Sequence, residues 1–84
     1  MVDGVVIVDG VRTPIGRFGG ALKDSSAIEL GGIAARAAVA RSGLQPEDVE
    51  DVVVGHARQA GNGPNSGRLV AHAAGIPKCA PALT

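Results

Sequence analysis

Aromatic residues are almost absent from this sequence: there is no Trp, no Tyr and a single Phe, Phe18, in 84 residues. Large aromatic side chains supply much of the burial in small domains. A chain of this length buries only about 60% of its unfolded surface even when folded well. The core must therefore be built from Val, Ala, Leu and Ile, or the chain must lean on something else. The length allows one domain at most, and the thin core points to a piece of a larger protein. Excess charge is also missing. Eight basic and eight acidic residues cancel, so there is no electrostatic footprint for nucleic acid. Nor is there a basic patch for an anionic membrane. No apolar run reaches the 18 residues of a membrane-spanning helix. Met1-Val2-Asp3-Gly4 offers no basic region ahead of an apolar segment, which excludes a signal peptide at this start. The single cysteine, Cys79, excludes an internal disulfide and suits a cytoplasmic protein.

The most distinctive stretch runs from Val11 to Gly20. It holds three glycines, Pro14, Arg12, Arg17 and Phe18. Pro14 fixes its own φ and pushes Thr13 towards an extended conformation. The residues alone read as an irregular strand-to-helix connection, folded under by Phe18.

The flanking segments alternate between strand and helix character. Val5-Val6-Ile7-Val8 is short, β-branched and without alternation, as expected of a strand buried on both faces. Ser26 and Glu29 form a capping-box pattern. The helix that follows carries Leu30, Ile33, Ala34, Ala37 and Ala38 at helical spacing. Gly43 ends it, with Leu44 placed for the hydrophobic contact of a Schellman ending. Gly31 and Gly32 lie inside this helix at about 0.5–1 kcal/mol each relative to Ala, which suits close packing against a sheet. Gln45-Pro46-Glu47-Asp48 makes a turn, and Val52-Val53-Val54 a second strand. Strand, helix and strand make a βαβ unit, parallel with a right-handed crossover. Asn65 caps a second helix over Arg68 to Ala74, stopped by Gly75. A third strand begins near Ala80. No internal repeat is visible.

No complete catalytic set stands out. Cys79 lies in a Pro-flanked connection, away from any helix N-terminus that would activate it. His56, at a strand end, and His72, within a helix, have no second ligand at metal spacing and read as solvated or packed. Gly61-Asn62-Gly63 precedes a helix, where anions bind well. Its spacing to Gly67 nevertheless departs from a dinucleotide fingerprint. The acidic residues from Glu47 to Asp51 gather around one turn and read as solvated surface.

The order of segments resembles the N-terminus of the thiolases, the acetyl-CoA acetyltransferase and 3-ketoacyl-CoA thiolase family. The resemblance rests on Val5 to Val8 and on Arg12-Thr13-Pro14-Ile15-Gly16-Arg17-Phe18-Gly19-Gly20. It continues through Ala27 to Leu30, Ser42 to Leu44, Val52 to Gly55 and Gln59 to Gly63. Asn65, Arg68, Ala74-Gly75-Ile76-Pro77 and Pro81 to Thr84 complete it. Family members often carry Gln at the place of Pro64, and Pro-Ala at the place of Ser66-Gly67.

The resemblance implies an α/β fold, with residues 1–84 as the opening β-α-β-α-β portion of a thiolase-like N-terminal domain whose sheet is incomplete. It implies acyl transfer between coenzyme A thioesters through a cysteine acyl-enzyme, by Claisen condensation or thiolysis, with no metal or further cofactor. The nucleophilic Cys of the family follows within a few residues of the position matching Thr84. Cys79 does not occupy that position, and no residue of this chain inherits a catalytic or cofactor-binding role. Asn65 and Arg68 are carried over as supporting residues near the active-site and dimer region. The implied partners are the rest of a thiolase chain, a homodimer or homotetramer of the whole, and acyl-CoA substrates. The resemblance makes Val11 to Gly20 a shaped structural loop with Phe18 as its anchor. A non-catalytic binding or assembly module is the alternative. A nucleotide-binding fragment using Gly61 to Gly67 is a third reading.

Overall fold

The computed structural model describes residues 4–84, so the signal-peptide argument at Met1 to Asp3 lies outside the described residues. Two helices and two short parallel strands make up the regular structure, an α/β arrangement with an incomplete sheet. Helix α1 spans Ala27–Ser42. A 3-10 turn follows at Pro46–Asp48, then strand β1 at Val52–Val53. Helix α2 spans Ser66–Ala73 and strand β2 spans Ala82–Leu83. Strand β1 pairs in parallel with β2, Val52 opposite Ala82 and Val53 opposite Leu83. The parallel βαβ unit is therefore β1-α2-β2, one step later in the chain than expected.

The expected first strand does not form. Gly4 to Val8 has no strand pairing, and Val5 and Ile7 are 88% and 94% exposed. Its β-branched composition favours a strand only where neighbouring strands and covering layers exist, and none of the described residues supplies them. The segment is held instead at Asp9. Asp9 Oδ1 accepts the Gly10 N–H at 2.7 Å, and Arg41 Nε, near the end of α1, donates to Asp9 Oδ2 at 3.3 Å.

Helix α1 starts as its capping residue dictates. Ser26 is extended, and its Oγ accepts the Glu29 N–H at 3.0 Å. The return bond from the Glu29 side chain is not formed. Gly43 closes the helix in the left-handed region at φ 80°, which favours glycine. Leu44 lines one groove with Val39 and Ala40, on the side where a Schellman contact would form. Its N–H donates to Ser42 Oγ and its side chain is exposed.

The buried residue of α1 is Gly32, and its tightest contact is made at the paired glycines. Gly31 and Gly32 meet α2: a Cβ at Gly31 would lie 2.8 Å from Val70 Cγ2, and one at Gly32 2.7 Å from the Ala73 Cβ. The close approach is helix on helix, not helix on sheet. Ala35 packs on the same side, and Arg36 donates to the Ala73 carbonyl at the end of α2. Of the expected stripe, Ile33 is 63% exposed, whereas Leu30, Ala34, Ala37 and Ala38 are half-buried.

Helix α2 is the hub, in contact with α1, β1 and β2. The core beneath it is small: Val70, Ala71, Ala74, Ile76 and Ala80 are the buried apolar residues. The accessible surface is 6347 Å², whereas a compact monomer of this mass exposes about 4,600 Å². The Val11 to Gly20 loop contributes to the excess. Turns fold it, with Gly20 N–H bonded to Arg17 O at 2.8 Å and Lys23 N–H to Gly20 O at 3.1 Å. Phe18 is fully exposed and does not anchor the loop, because this face offers too little apolar surface to receive it.

Two outcomes follow. Gly31→Leu should lower the urea midpoint followed by far-UV circular dichroism, by about 1–3 kcal/mol of overpacking at Val70, despite the better helix propensity of Leu. Asp9 should titrate below the ordinary carboxylate range, through the Gly10 N–H first and Arg41 second. Its contribution to holding the N-terminal segment is present above the unfolded carboxylate value and is lost as pH falls through the depressed folded one. A carboxyl carbon titration by NMR should show the lowered midpoint, and in Arg41→Ala the midpoint should rise partway.

Candidate functional site at the strand ends

Ligands of α/β sheets gather at the carboxyl ends of parallel strands, beside helix N-termini. Here three elements meet at such a place: the end of β1 with Gly55 and His56, the end of β2 with Thr84, and the start of α2. Asn65 caps α2 from a left-handed conformation at φ 49°, the positive φ seen at a non-glycine residue among those described. Asparagine tolerates this region better than most side chains. Its Oδ1 accepts the Arg68 N–H at 3.2 Å and the Thr84 hydroxyl at 2.7 Å. Its Nδ2 donates to the Ala82 carbonyl at 3.3 Å. Thr84 Oγ1 in turn accepts the Gly67 N–H at 2.8 Å. Arg68 turns the other way, and its guanidinium donates to the Ala80 carbonyl at 2.8 Å.

The second polar pair was not visible in the sequence. Ser66 is fully buried, and its Oγ lies 2.7 Å from His56 Nδ1. His56 is half-buried at the mouth of an open, mainly apolar groove of about 370 Å³ between α1 and β1. Ala27, Ile28, Gly31 and Ala35 form one wall, and Val53 and Val54 the other. Ser66 follows a cap residue and would ordinarily read as part of the first helical turn. Only the return of the chain from β1 places a histidine over it. Gly67 is equally buried, and a Cβ there would lie 2.6 Å from the Leu83 carbonyl oxygen. The Ser supplies a partner for His56, and the Gly lets β2 approach the helix.

The other candidates stay apart from this cluster. Cys79 is a free thiol, exposed on the turn between α2 and β2. His72 is exposed on α2. Gly61 and Gly63 adopt positive φ in the exposed connection before Asn65. Among the described residues, no three of His, Cys, Asp and Glu gather as a metal site would require, and no helix is long and apolar enough to cross a membrane.

The model of the thiolase N-terminal domain matches residues 5–84. The chain belongs to the thiolase family. It is 45% identical over 80 residues to an acetyl-CoA acetyltransferase of Cupriavidus necator, covering 95% of this chain and 20% of that protein. It is 41% identical over 80 residues to a probable acetyl-CoA acyltransferase of Staphylococcus aureus, with the same two shares. A thiolase from Ascaris suum, solved in complex with coenzyme A, superposes with a TM-score of 0.89 at 36% identity, over 92% of this chain and 20% of that one. An acetyl-CoA acetyltransferase from Syntrophomonas wolfei gives 0.87 at 35% identity, over 94% and 20%. This thiolase-family chain thus spans about a fifth of the length of the relatives it matches.

The His56–Ser66 pair makes an asymmetric prediction. His56→Ala leaves the buried Ser66 hydroxyl without a partner, which costs about 1–3 kcal/mol. Ser66→Ala leaves a half-buried imidazole that water can still reach, and should cost less. Urea midpoints of the two variants should rank in that order, and the double variant should recover part of the His56→Ala loss.

Proposed function

We propose that this chain is the opening part of an acetyl-CoA acetyltransferase or related thiolase domain. The whole would transfer acyl groups between coenzyme A thioesters, in the condensing or thiolytic direction, through a cysteine acyl-enzyme. The observation that carries this reading is the 45% identity to the Cupriavidus necator enzyme across 95% of the chain. The Ascaris thiolase, whose structure contains coenzyme A, supports thioesters as the substrate class.

Residues 1–84 are on this reading an incomplete domain and inactive alone. The chain's single cysteine sits on an exposed turn, away from the strand ends. The excess of accessible surface and the exposed side of α1 support a missing layer. The partner is the rest of a thiolase chain, in a homodimer or homotetramer, without nucleic acid or membrane. The pathway is acyl-CoA and fatty acid metabolism in the cytoplasm. Asn65 and Arg68 act as supporting residues rather than catalysts, since both are occupied in tying α2 to β2. The exposed Phe18 and Ile15 favour one competing reading, a non-catalytic assembly module.

Exchange of this chain for the matching 80-residue segment of the Cupriavidus necator enzyme separates the two. The hybrid should cleave acetoacetyl-CoA in the presence of coenzyme A, and the purified chain alone should not. A folded but inactive hybrid would favour the assembly module. Turnover by the isolated chain would defeat the claim that it lacks the catalytic groups.

A further inference from the structure

Strand β2 is attached to the sheet by only a short ladder, yet its course is tied to α2 at three successive points. Arg68 Nη2 holds the Ala80 carbonyl, Asn65 Nδ2 holds the Ala82 carbonyl, and the Thr84 hydroxyl bridges Gly67 N–H and Asn65 Oδ1. The Pro81 and Leu83 carbonyls bond β1, and the alternate Ala80 and Ala82 carbonyls are the ones taken by Arg68 and Asn65. All three ties come from the first turn of α2 or its cap. Asn65 holds a left-handed backbone that its side-chain bonds help to fix, and Gly67 has no Cβ where the Leu83 carbonyl would meet one at 2.6 Å. The first turn of α2 is thus shaped to receive the carboxyl end of β2 in one position.

We propose that Asn65 and Thr84 are positioning residues: their clasp sets the point and direction in which the chain leaves β2. This inference rests on the acyltransferase reading, in which the segment after Thr84 bears the nucleophilic cysteine. Neither residue touches substrate in this role. Each acts through the backbone that carries the nucleophile, where a misplacement of about 1 Å can cost a hundredfold in rate.

The test uses the full hybrid enzyme, with kcat referred to titrated active sites so that loss of folded protein does not count. Thr84→Val keeps the shape and removes the hydroxyl. It should lower kcat by about tenfold and leave KM within about twofold, because geometry at the nucleophile is changed and thioester binding is not. Thr84→Ser restores the hydroxyl and should return kcat to near the parent value. Asn65→Gly suits the positive φ, and glycine is itself a tolerated cap residue. It should reproduce the kcat loss, and it serves if Thr84→Val does not fold. Alkylation of the nucleophilic cysteine by iodoacetamide should slow in step with kcat. Unchanged kcat in Thr84→Val or Asn65→Gly would overturn the inference, as would an equal loss in Thr84→Ser. An inactive parent hybrid would defeat the acyltransferase reading and this inference with it.

Discussion

The contact between α1 and α2 at Gly31 and Gly32 is the constraint on which the rest depends. Two helices approach this closely only where side chains are absent. Val70 and Ala73 occupy the space that two Cβ atoms would need. The approach brings Arg36 within reach of the last α2 carbonyl, where a cation also meets the favourable end of the helix dipole. It orients α2 so that its other side faces β1 and β2, and so places the α2 N-terminus over the strand ends. Glycine costs helix stability at two adjacent positions. That cost is offset by a contact that the small core could not otherwise provide, since three of its five buried apolar residues are alanines.

Local signals in the sequence were the readable ones. Ser26, Gly43, Asn65 and Gly75 mark helix ends through backbone chemistry that needs no partner, and the structure uses each. The turn at Pro46 was legible for the same reason. Signals that depend on a neighbour misled. The stripe from Leu30 to Ala38 is only half-buried and leaves Ile33 exposed, while the tightest contact is made at Gly31 and Gly32. Periodicity records which residues avoid water, not which neighbour covers them. Val5 to Val8 has strand composition but no strand beside it. Phe18 stands out in the sequence as the anchor of its loop, and here it is fully exposed. The Ser66–His56 and Thr84–Gly67 bonds were illegible because they join residues 10 and 17 positions apart through the β1-α2-β2 turn-back.

A helix that is apolar on two sides belongs between two layers. Helix α1 packs on α2 through its glycines, while Ile33 is exposed and Leu30, Ala34, Ala37 and Ala38 are only half-buried. Val53 and Leu83 are likewise exposed. These residues fall on α1 and on both strands, so the uncovered surface is distributed over the fold rather than confined to one loop. The chain covers about a fifth of the length of the relatives it matches.

The polar bonds at the strand ends gain meaning in that setting. Asn65 and Thr84 are exposed, and in water such hydrogen bonds add little, because the groups bond to solvent almost as well when apart. Covering them with further protein would lower the local dielectric and strengthen each bond. The same burial would make any unpaired member costly. The arrangement goes far to meet that condition: Asn65 Oδ1, Asn65 Nδ2 and Thr84 Oγ1 each already bond a partner within the chain. Geometry at the strand ends is therefore set by residues 65–68 and 80–84 themselves, while its rigidity depends on what is packed over them.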